Sequence, residues 1–259
     1  MTRMYRRTGS VDMSRGMTLK SDETLDTIKD IKLFQAKDGY RFSIDALLLE
    51  NFISAKRLEK GVELGAGSGV ISILLAKRLK QAKIIAVEIQ KALAGRAMRN
   101  VELNGLSDRI EILNEDIKDI KKILPANKFD FVFSNPPFRK TKTGRLSVYE
   151  ERAVARHEIE MTLPDLIKAA AGLLKHSGRL FLIYHPFRLA ELISFLRAAR
   201  LEPRRMRFVH SKEGGEARMV LIEAAKGSGI WLKVDPPLYL YENNEYTAEI
   251  RNVLDAQED

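Results

Sequence analysis

The chain has 259 residues, and 45% of them are hydrophobic, which suffices for one large domain with an ordinary core. Cysteine is absent, so disulfides and thiolate metal sites are excluded. No apolar run approaches the roughly 18 residues of a membrane helix, and no signal-peptide pattern occurs, so we expect a cytoplasmic protein.

The net charge of +9 favours anionic partners, nucleic acid first. Residues 1–20 hold five basic side chains and one acidic one, so +4 of that charge lies there and the remainder is only mildly basic. This segment has no helical or strand period, and we predict a disordered basic extension followed by one domain over 21–259. The extension either binds phosphates or is an upstream start without a role.

The domain begins with a predicted hairpin and helix, together spanning about 22–54. Apolar residues alternate loosely over about 25–42 and end at a turn, Asp38-Gly39, as in a hairpin. Ser43 is placed to cap a helix that continues through Phe52.

Beyond this point, strands and helices alternate along the chain. Buried apolar runs predict strands at 62–64, 84–87, 110–113, 129–133 and 179–184. Helical periodicity predicts helices at 70–79, 92–103, 163–174 and 189–199. Two last strands, about 204–210 and 217–225, are joined by a short turn and are therefore antiparallel. The pattern predicts an α/β fold with a mostly parallel seven-stranded sheet, an antiparallel edge hairpin and helices on both faces.

A glycine-rich turn joins the first of these strands to its helix. Gly65, Gly67 and Gly69 alternate, and Glu63 lies two residues before them. Glycines there let the backbone turn sharply and approach a ligand closely. The spacing differs from G-x-G-x-x-G, and an acid suits the cationic sulfonium and ammonium of S-adenosylmethionine better than a pyrophosphate. A glycine turn with a purely structural glutamate is the alternative.

Acidic residues follow the next two strands. Glu88 is placed to accept hydrogen bonds from both ribose hydroxyls of such a cofactor, unless it is merely an exposed strand-end acid. Asp116 is placed to accept from the adenine amine, or alternatively caps the next turn.

The fourth motif is Asn135-Pro136-Pro137-Phe138, directly after a strand. The prolines hold the Asn135 amide and the Pro136 carbonyl rigidly, so that two oxygens can accept both hydrogens of a planar amine. This turns the lone pair of the amine toward a methyl donor, and Asn135 would border the cofactor as well. Phe138 can stack on a base. In isolation, the tetrapeptide would be a simple Pro-Pro turn.

Together these motifs resemble the Rossmann-like class I methyltransferases that modify amino groups. More closely, the chain resembles bacterial tRNA adenine-N6-methyltransferases that act beside the anticodon of a valine tRNA. That likeness spans about 22–255 and is carried by the segments 35–49, 63–69, 135–138 and 155–158. It implies S-adenosylmethionine as cofactor, N6 of a tRNA adenine as target and a methyltransferase domain over 21–259.

Further candidates surround these motifs. Phe42 and Asp45 are candidate cofactor contacts, with a core aromatic and a first-turn acid as their alternatives. His157 and Glu158 either guard the target pocket or begin a solvated helix. The basic residues just after the Asn-Pro-Pro-Phe turn are expected to contact the RNA backbone: Arg139, Lys140, Lys142 and Arg145. The spacing of His and acidic residues implies no metal.

Other functions stay open on the residues alone. Methylation of guanine N2 in ribosomal RNA uses a similar turn, as does methylation of N5 of a protein glutamine, against which the positive charge counts. A non-enzyme alternative is an RNA-binding protein that has lost catalysis, which the intact motifs oppose. The glycine spacing opposes a dinucleotide oxidoreductase.

Overall fold

The structure, a computed structural model, describes residues 6–7, 18–38, 41–54, 58–136 and 161–254. Within those ranges no helix is both long and apolar enough to cross a membrane. The first sheet has three antiparallel strands: β1 (Arg6–Arg7), β2 (Glu23–Ile28) and β3 (Ile31–Ala36). The disordered state predicted for residues 1–20 stays a prediction, since most of that segment lies outside the described residues.

The turn between β2 and β3 lies at Lys29-Asp30, not at the predicted Asp38-Gly39. Lys29 adopts a φ of 48°, which closes the turn without a glycine and so leaves little signal in the sequence. The strands pair in register from Glu23 opposite Ala36 to Ile28 opposite Ile31. The hairpin is therefore shorter than the sequence pattern indicated and ends at Ala36.

The central sheet carries the main core. Its strands are β4 (Lys60–Leu64), β5 (Lys83–Val87), β6 (Ile110–Leu113), β7 (Phe129–Ser134), β8 (Leu174–Tyr184), β9 (Leu201–His210), β10 (Ala217–Lys226), β11 (Lys233–Val234) and β12 (Leu238–Tyr239). They lie in the order β6-β5-β4-β7-β8-β10-β9-β11, and β12 also pairs with β9. The strands from β6 to β8 are mutually parallel, while β10 is antiparallel to both β8 and β9. The predicted fold class is confirmed.

Two details of the sheet differ from the prediction. The β9–β10 hairpin is not the outermost element, because β11 and β12 pair with the outer side of β9. A further small hairpin, β13 (Tyr241–Glu242) with β14 (Glu245–Tyr246), follows. These strands have two residues each, too few to produce an alternating pattern in the sequence.

Helices cover both faces of the central sheet. They are α1 (Ile44–Phe52), α2 (Val70–Arg78), α3 (Lys91–Leu103), α4 (Ile120–Ile123), α5 (Leu163–Leu173), α6 (Leu189–Ala198) and α7 (Ala248–Leu254). Side chains alternate along β7, so that Phe131 and Phe133 pack in the core under α1 and α2, whereas Val132 packs in the core under α5 and α6. Burial on both faces explains why these strands are continuous apolar runs.

Candidate active site

The site lies at the carboxyl edge of the central sheet, where the chain order reverses. β4 has β5 on one side and β7 on the other, and ligands of open α/β sheets bind in the crevice at such a switch point. A small cavity opens there. It is lined by Phe42, Ala46, Glu63, Gly65, Ala66, Ser68, Val70, Ile71 and Asn135. Four of the residues singled out in the sequence thus meet in one crevice.

The glycine turn after β4 depends on backbone that other residues rarely adopt. Gly65, Gly67 and Gly69 have φ values of 76°, 57° and 82°, all in the left-handed region. A Cβ on Gly65 would also come within 2.9 Å of the Met161 Cε. The N–H groups of Gly65 and Ala66 both donate to the carbonyl of Val87 at 2.9 Å, which fixes the turn on the neighbouring strand.

Glu63 forms the floor of the cavity and is only 1% exposed. Its Oε2 accepts hydrogen bonds from the Ser72 backbone N–H at 3.2 Å and from the Ser72 hydroxyl at 2.5 Å. Burial is the main cause that raises the pKa of this carboxyl to about 8; the negative charge of Glu88 adds to the shift and the Ser72 hydrogen bonds oppose it. A cation entering the cavity would favour the ionised form.

Glu88 is held in place by the backbone around it. Its Oε2 accepts from the Gly67 N–H at 2.8 Å and its Oε1 from the Gln90 N–H at 2.9 Å. Each carboxylate oxygen retains acceptor capacity for a ligand hydroxyl. The side-chain amide of Asn114 donates to the carbonyls of Glu88 and Ile89, at 2.8 and 2.9 Å. Sequence reasoning missed Asn114, although its position directly after a strand was a signal.

Asp116, like Glu88, is not among the residues that line the cavity. The Asp116 side chain is half-buried. Its Oδ1 accepts from the Lys118 N–H at 2.8 Å, which is the turn-capping role considered as the alternative. Its assignment to the cofactor adenine stays a prediction.

Asn135 is half-buried and faces the same cavity as Glu63 and Phe42. The residue before it, Ser134, donates its hydroxyl to the Leu64 carbonyl at 2.5 Å and so ties the end of β7 to the end of β4. Pro136 is buried. The role of Ser134 was not identified from the sequence, although its position between the strand and the Asn-Pro-Pro turn could have indicated it.

Several predicted site residues lie outside the described residues, and their roles stay predictions. They are Phe138, Arg139, Lys140, Lys142, Arg145, His157 and Glu158.

Phe42 forms one wall of the cavity, and hydrogen bonds to the N-terminal hairpin hold its backbone in place. The Phe42 N–H donates to the Gln35 Oε1 at 3.1 Å, and the Gln35 Nε2 donates to the Asp26 Oδ2 at 2.5 Å. The Arg41 Nη2 donates to the same Asp26 oxygen at 2.5 Å, and the Asp26 side chain is fully buried. These polar residues at buried strand positions were not identified from the sequence.

Asn100 connects the hairpin to the glycine turn. This buried α3 residue accepts from the Phe34 N–H at 2.7 Å and donates to the Phe34 and Ser68 carbonyls, at 3.2 and 2.9 Å. One side chain therefore satisfies backbone groups of β3 and of the turn that borders the cavity.

Asp45 lies in the first turn of α1, one residue before the cavity-lining Ala46. Burial raises the pKa of its carboxyl, while the Ser43 hydroxyl and the nearby His185 oppose that shift. Ser43 does occupy the N-cap position, but its hydroxyl does not cap the helix backbone. Among the described residues, no group of three or more His, Asp or Glu side chains is arranged to hold a metal ion.

Comparisons with known proteins agree with this architecture. The family model described as methyltransferase small domain matches residues 43–198, more than half of the chain. A Bacteroides thetaiotaomicron protein named tRNA1(Val) (adenine(37)-N6)-methyltransferase is 31% identical over 196 residues, which cover 75% of this chain and 80% of the relative. A Porphyromonas gingivalis protein of the same name is 34% identical over 164 residues, 62% of this chain and 64% of the relative.

Among solved structures, a predicted O-methyltransferase from Agrobacterium tumefaciens, protein Atu636, superposes with a TM-score of 0.67 and 27% identity, covering 82% of this chain and 97% of that one. The resemblance found in the sequence motifs is thereby confirmed. The chain belongs to the methyltransferase small domain family.

Proposed function

We propose that this protein transfers a methyl group from S-adenosylmethionine to the exocyclic N6 of an adenine in tRNA. One observation carries the proposal: a buried carboxylate, a left-handed glycine turn and an asparagine amide share a single crevice at the switch point of the sheet. The relatives named tRNA1(Val) (adenine(37)-N6)-methyltransferase support tRNA as the substrate and adenine 37 as the target. A tRNA substrate implies a cytoplasmic enzyme.

The residues around the cavity fit S-adenosylmethionine. That cofactor carries a methyl group on a cationic sulfur, which makes the methyl group electrophilic. Glu63 matches its positive charge, and the fixed carboxylate of Glu88 matches its ribose hydroxyls. The glycine turn lets the backbone approach the ligand closely, and Phe42 supplies an apolar wall.

Asn135 and the Pro136 carbonyl are proposed to hold the target amine. Two acceptor oxygens on one rigid segment would orient both N–H bonds and direct the nitrogen lone pair toward the methyl group. An adenine amine is a weak nucleophile because its lone pair is delocalised, so positioning supplies most of the rate. The hydrogen bonds strengthen as positive charge builds on the nitrogen, and the proton leaves after transfer without a strong base.

The nucleic acid approaches from the side of the Asn-Pro-Pro-Phe turn. We assign the phosphate contacts to Arg139, Lys140, Lys142 and Arg145, and base stacking to Phe138, on their positions in the sequence. An adenine in an anticodon loop is only weakly stacked and unpaired, so its entry into the site costs little.

The test compares three substrates under one condition. The purified protein is incubated with isotopically labelled cofactor and, in parallel, with total tRNA, ribosomal RNA or a glutamine-containing peptide. Mass spectrometry of nucleosides is expected to find the label in N6-methyladenosine from tRNA. The same reaction with Asn135→Ala controls for contaminating activity. Label in N2-methylguanosine or in the peptide, with none in tRNA adenine, would overturn the proposal.

A further inference from the structure

An aromatic pair lies at the rim of the active site on the strand next to β7. In the parallel pairing of β7 with β8, Ser134 is opposite Leu182, so Asn135 is level with the next residue of β8 and His185 lies just beyond. His185 is also close enough to Asp45 to influence the pKa of that carboxyl, and the residue after Asp45 lines the cavity. The end of β8 therefore borders the opening of the cavity.

Phe187 presents its ring to solvent beside this opening. The side chain is 70% exposed, and its ring stacks on the His185 imidazole with centroids 5.4 Å apart and planes inclined by 23°. Both residues belong to a short segment that is rigidified by Pro186 and a single turn of 3-10 helix over Pro186–Arg188. Single exposed apolar residues are common on proteins, but this ring stacks on a partner that lies near the cavity-bordering start of α1.

Two arginines belong to the elements next to the pair. Arg188 belongs to the same turn, where its guanidinium pairs with Glu191 and lies 5.6 Å from the centre of the Tyr184 ring. Arg218 is exposed on the neighbouring strand β10, and its carbonyl oxygen is 3.3 Å from the His185 Nδ1. An exposed aromatic ring next to the pocket for a target base is a feature that proteins use to stack unpaired bases.

We propose that Phe187, supported by His185, is a stacking platform for an unpaired RNA base next to the target adenine. This inference rests on the proposed function and extends it, because it assigns a base-binding surface on β8, separate from the basic residues that follow β7. The other side of the Phe187 ring is the face available for a base, since the His185 imidazole covers one side.

The test measures binding of an anticodon stem-loop RNA by fluorescence anisotropy. Phe187→Ala is expected to weaken binding about 5- to 150-fold, the range for loss of one stacked base, whereas Phe187→Tyr retains most of the affinity. His185→Ala is expected to give a smaller loss, because the Phe187 ring remains. Calorimetric affinity for S-adenosylmethionine should be unchanged in both Phe187 variants.

Trp231 provides the matched control. It is also an exposed aromatic residue, at 62%, and the Arg204 guanidinium lies 5.2 Å from the centre of its ring. It precedes β11, which runs parallel to β9 with Lys233 opposite Arg205, so Trp231 lies toward the amino edge of the sheet, away from the site. Trp231→Ala is expected to bind the stem-loop as the wild type does.

The outcomes separate this inference from the proposed function. If the wild type methylates tRNA adenine while Phe187→Ala binds the stem-loop within twofold of the wild type, the platform is wrong and the function stands. If Phe187→Ala weakens binding to a fully paired RNA duplex equally, the residue does not act by stacking on an unpaired base. If the wild type methylates no adenine in tRNA, the proposed function is wrong, and the stacking platform that rests on it is wrong as well.

Discussion

The two sides of the candidate active site are built in different ways. On the cofactor side, Glu63 and Glu88 are buried, and backbone or side-chain donors fix both carboxylates. On the target side, Asn135 is half-buried at a strand end and Phe187 is mostly exposed. The cofactor is the same in every turnover, so its side is preorganised. The target side stays open because it must admit a base that belongs to a large macromolecule.

The strongest test of this contrast is Asn135→Ala. Removal of one well-placed hydrogen bond to the transition state is worth about 3–4 kcal/mol, so we expect the methyl-transfer rate to fall about 10²- to 10³-fold. Cofactor affinity should stay nearly intact, because the amide is assigned to the target amine. Single-turnover kinetics and calorimetry measure the two effects. Asn252→Ala, on the exposed face of α7, is the control. A variant that keeps more than half of the wild-type rate contradicts the assignment.

Glu63→Gln should damage the cofactor side selectively. A hydrogen bond to a charged group contributes about 1.5–3 kcal/mol, so we expect affinity for S-adenosylmethionine to fall about 10- to 100-fold. Because the pKa of Glu63 is about 8, binding of a cation releases a proton, and wild-type affinity should rise with pH up to about 8. Calorimetry in buffers of different ionisation enthalpy measures how many protons are released on cofactor binding. Equal pH dependence in the wild type and the variant would exclude Glu63 as its source.

The basic residues assigned to the target side are tested by the salt dependence of tRNA binding. If Arg139, Lys140, Lys142 and Arg145 contact phosphates, replacing all four by alanine should weaken tRNA binding and lower the slope of log affinity against log salt by about 0.7–0.9 for each lost contact. Cofactor affinity should not change. Deletion of residues 1–20 is the matched comparison, since that segment carries +4 of the net charge of +9. Loss of the salt dependence in the deletion but not in the quadruple variant would assign RNA binding to the extension.

The buried carboxyl of Glu63 should also shape stability in the absence of cofactor. Its folded-state pKa of about 8 lies above the usual value of 4.5, so between these values the folded protein holds a proton that the unfolded chain has lost. The free energy of unfolding should therefore fall as pH rises through this window, by at most about 1.4 kcal/mol per pH unit, and level off above it. Urea unfolding at several pH values should show a shallower decline for Glu63→Gln. Parallel curves would contradict the raised pKa.

The smallest effect is expected for Gln35→Leu, which removes the link between Asp26 and the Phe42 backbone. Leaving buried partners without a hydrogen bond costs about 1–3 kcal/mol of stability, and we expect a loss of only several-fold in cofactor affinity because Phe42 is displaced, not removed. Thermal unfolding and calorimetry measure both. A gain in stability without any change in cofactor affinity would show that Gln35 does not support the cavity wall.

The sequence revealed the parts of the site that follow from strand order. In a parallel sheet the carboxyl ends of the strands meet at one edge, so Glu63 and Asn135 could be assigned to one crevice from their positions after predicted strands, with Glu88 next to the same glycine turn. Asn100 and Asp26 could not be found in this way. Asn100 binds the backbone of Phe34, which is 66 residues away, and such a pairing follows from the packing of α3 on the hairpin, not from any local pattern.

The hydrogen bonds of Asn100 bear on how far this enzyme can be truncated from its N-terminus. The family match begins at residue 43, after the hairpin. Yet the Asn100 side chain binds the backbone N–H and carbonyl of Phe34 in the hairpin and also the Ser68 carbonyl in the glycine turn. In addition, Glu23 of the hairpin forms ion pairs with Arg96 and Arg99 of α3. A fragment beginning at the family boundary would leave these groups of α3 without partners behind the cofactor. We therefore expect a stable cofactor-binding fragment to include the hairpin as well as the segment by which the family is recognised.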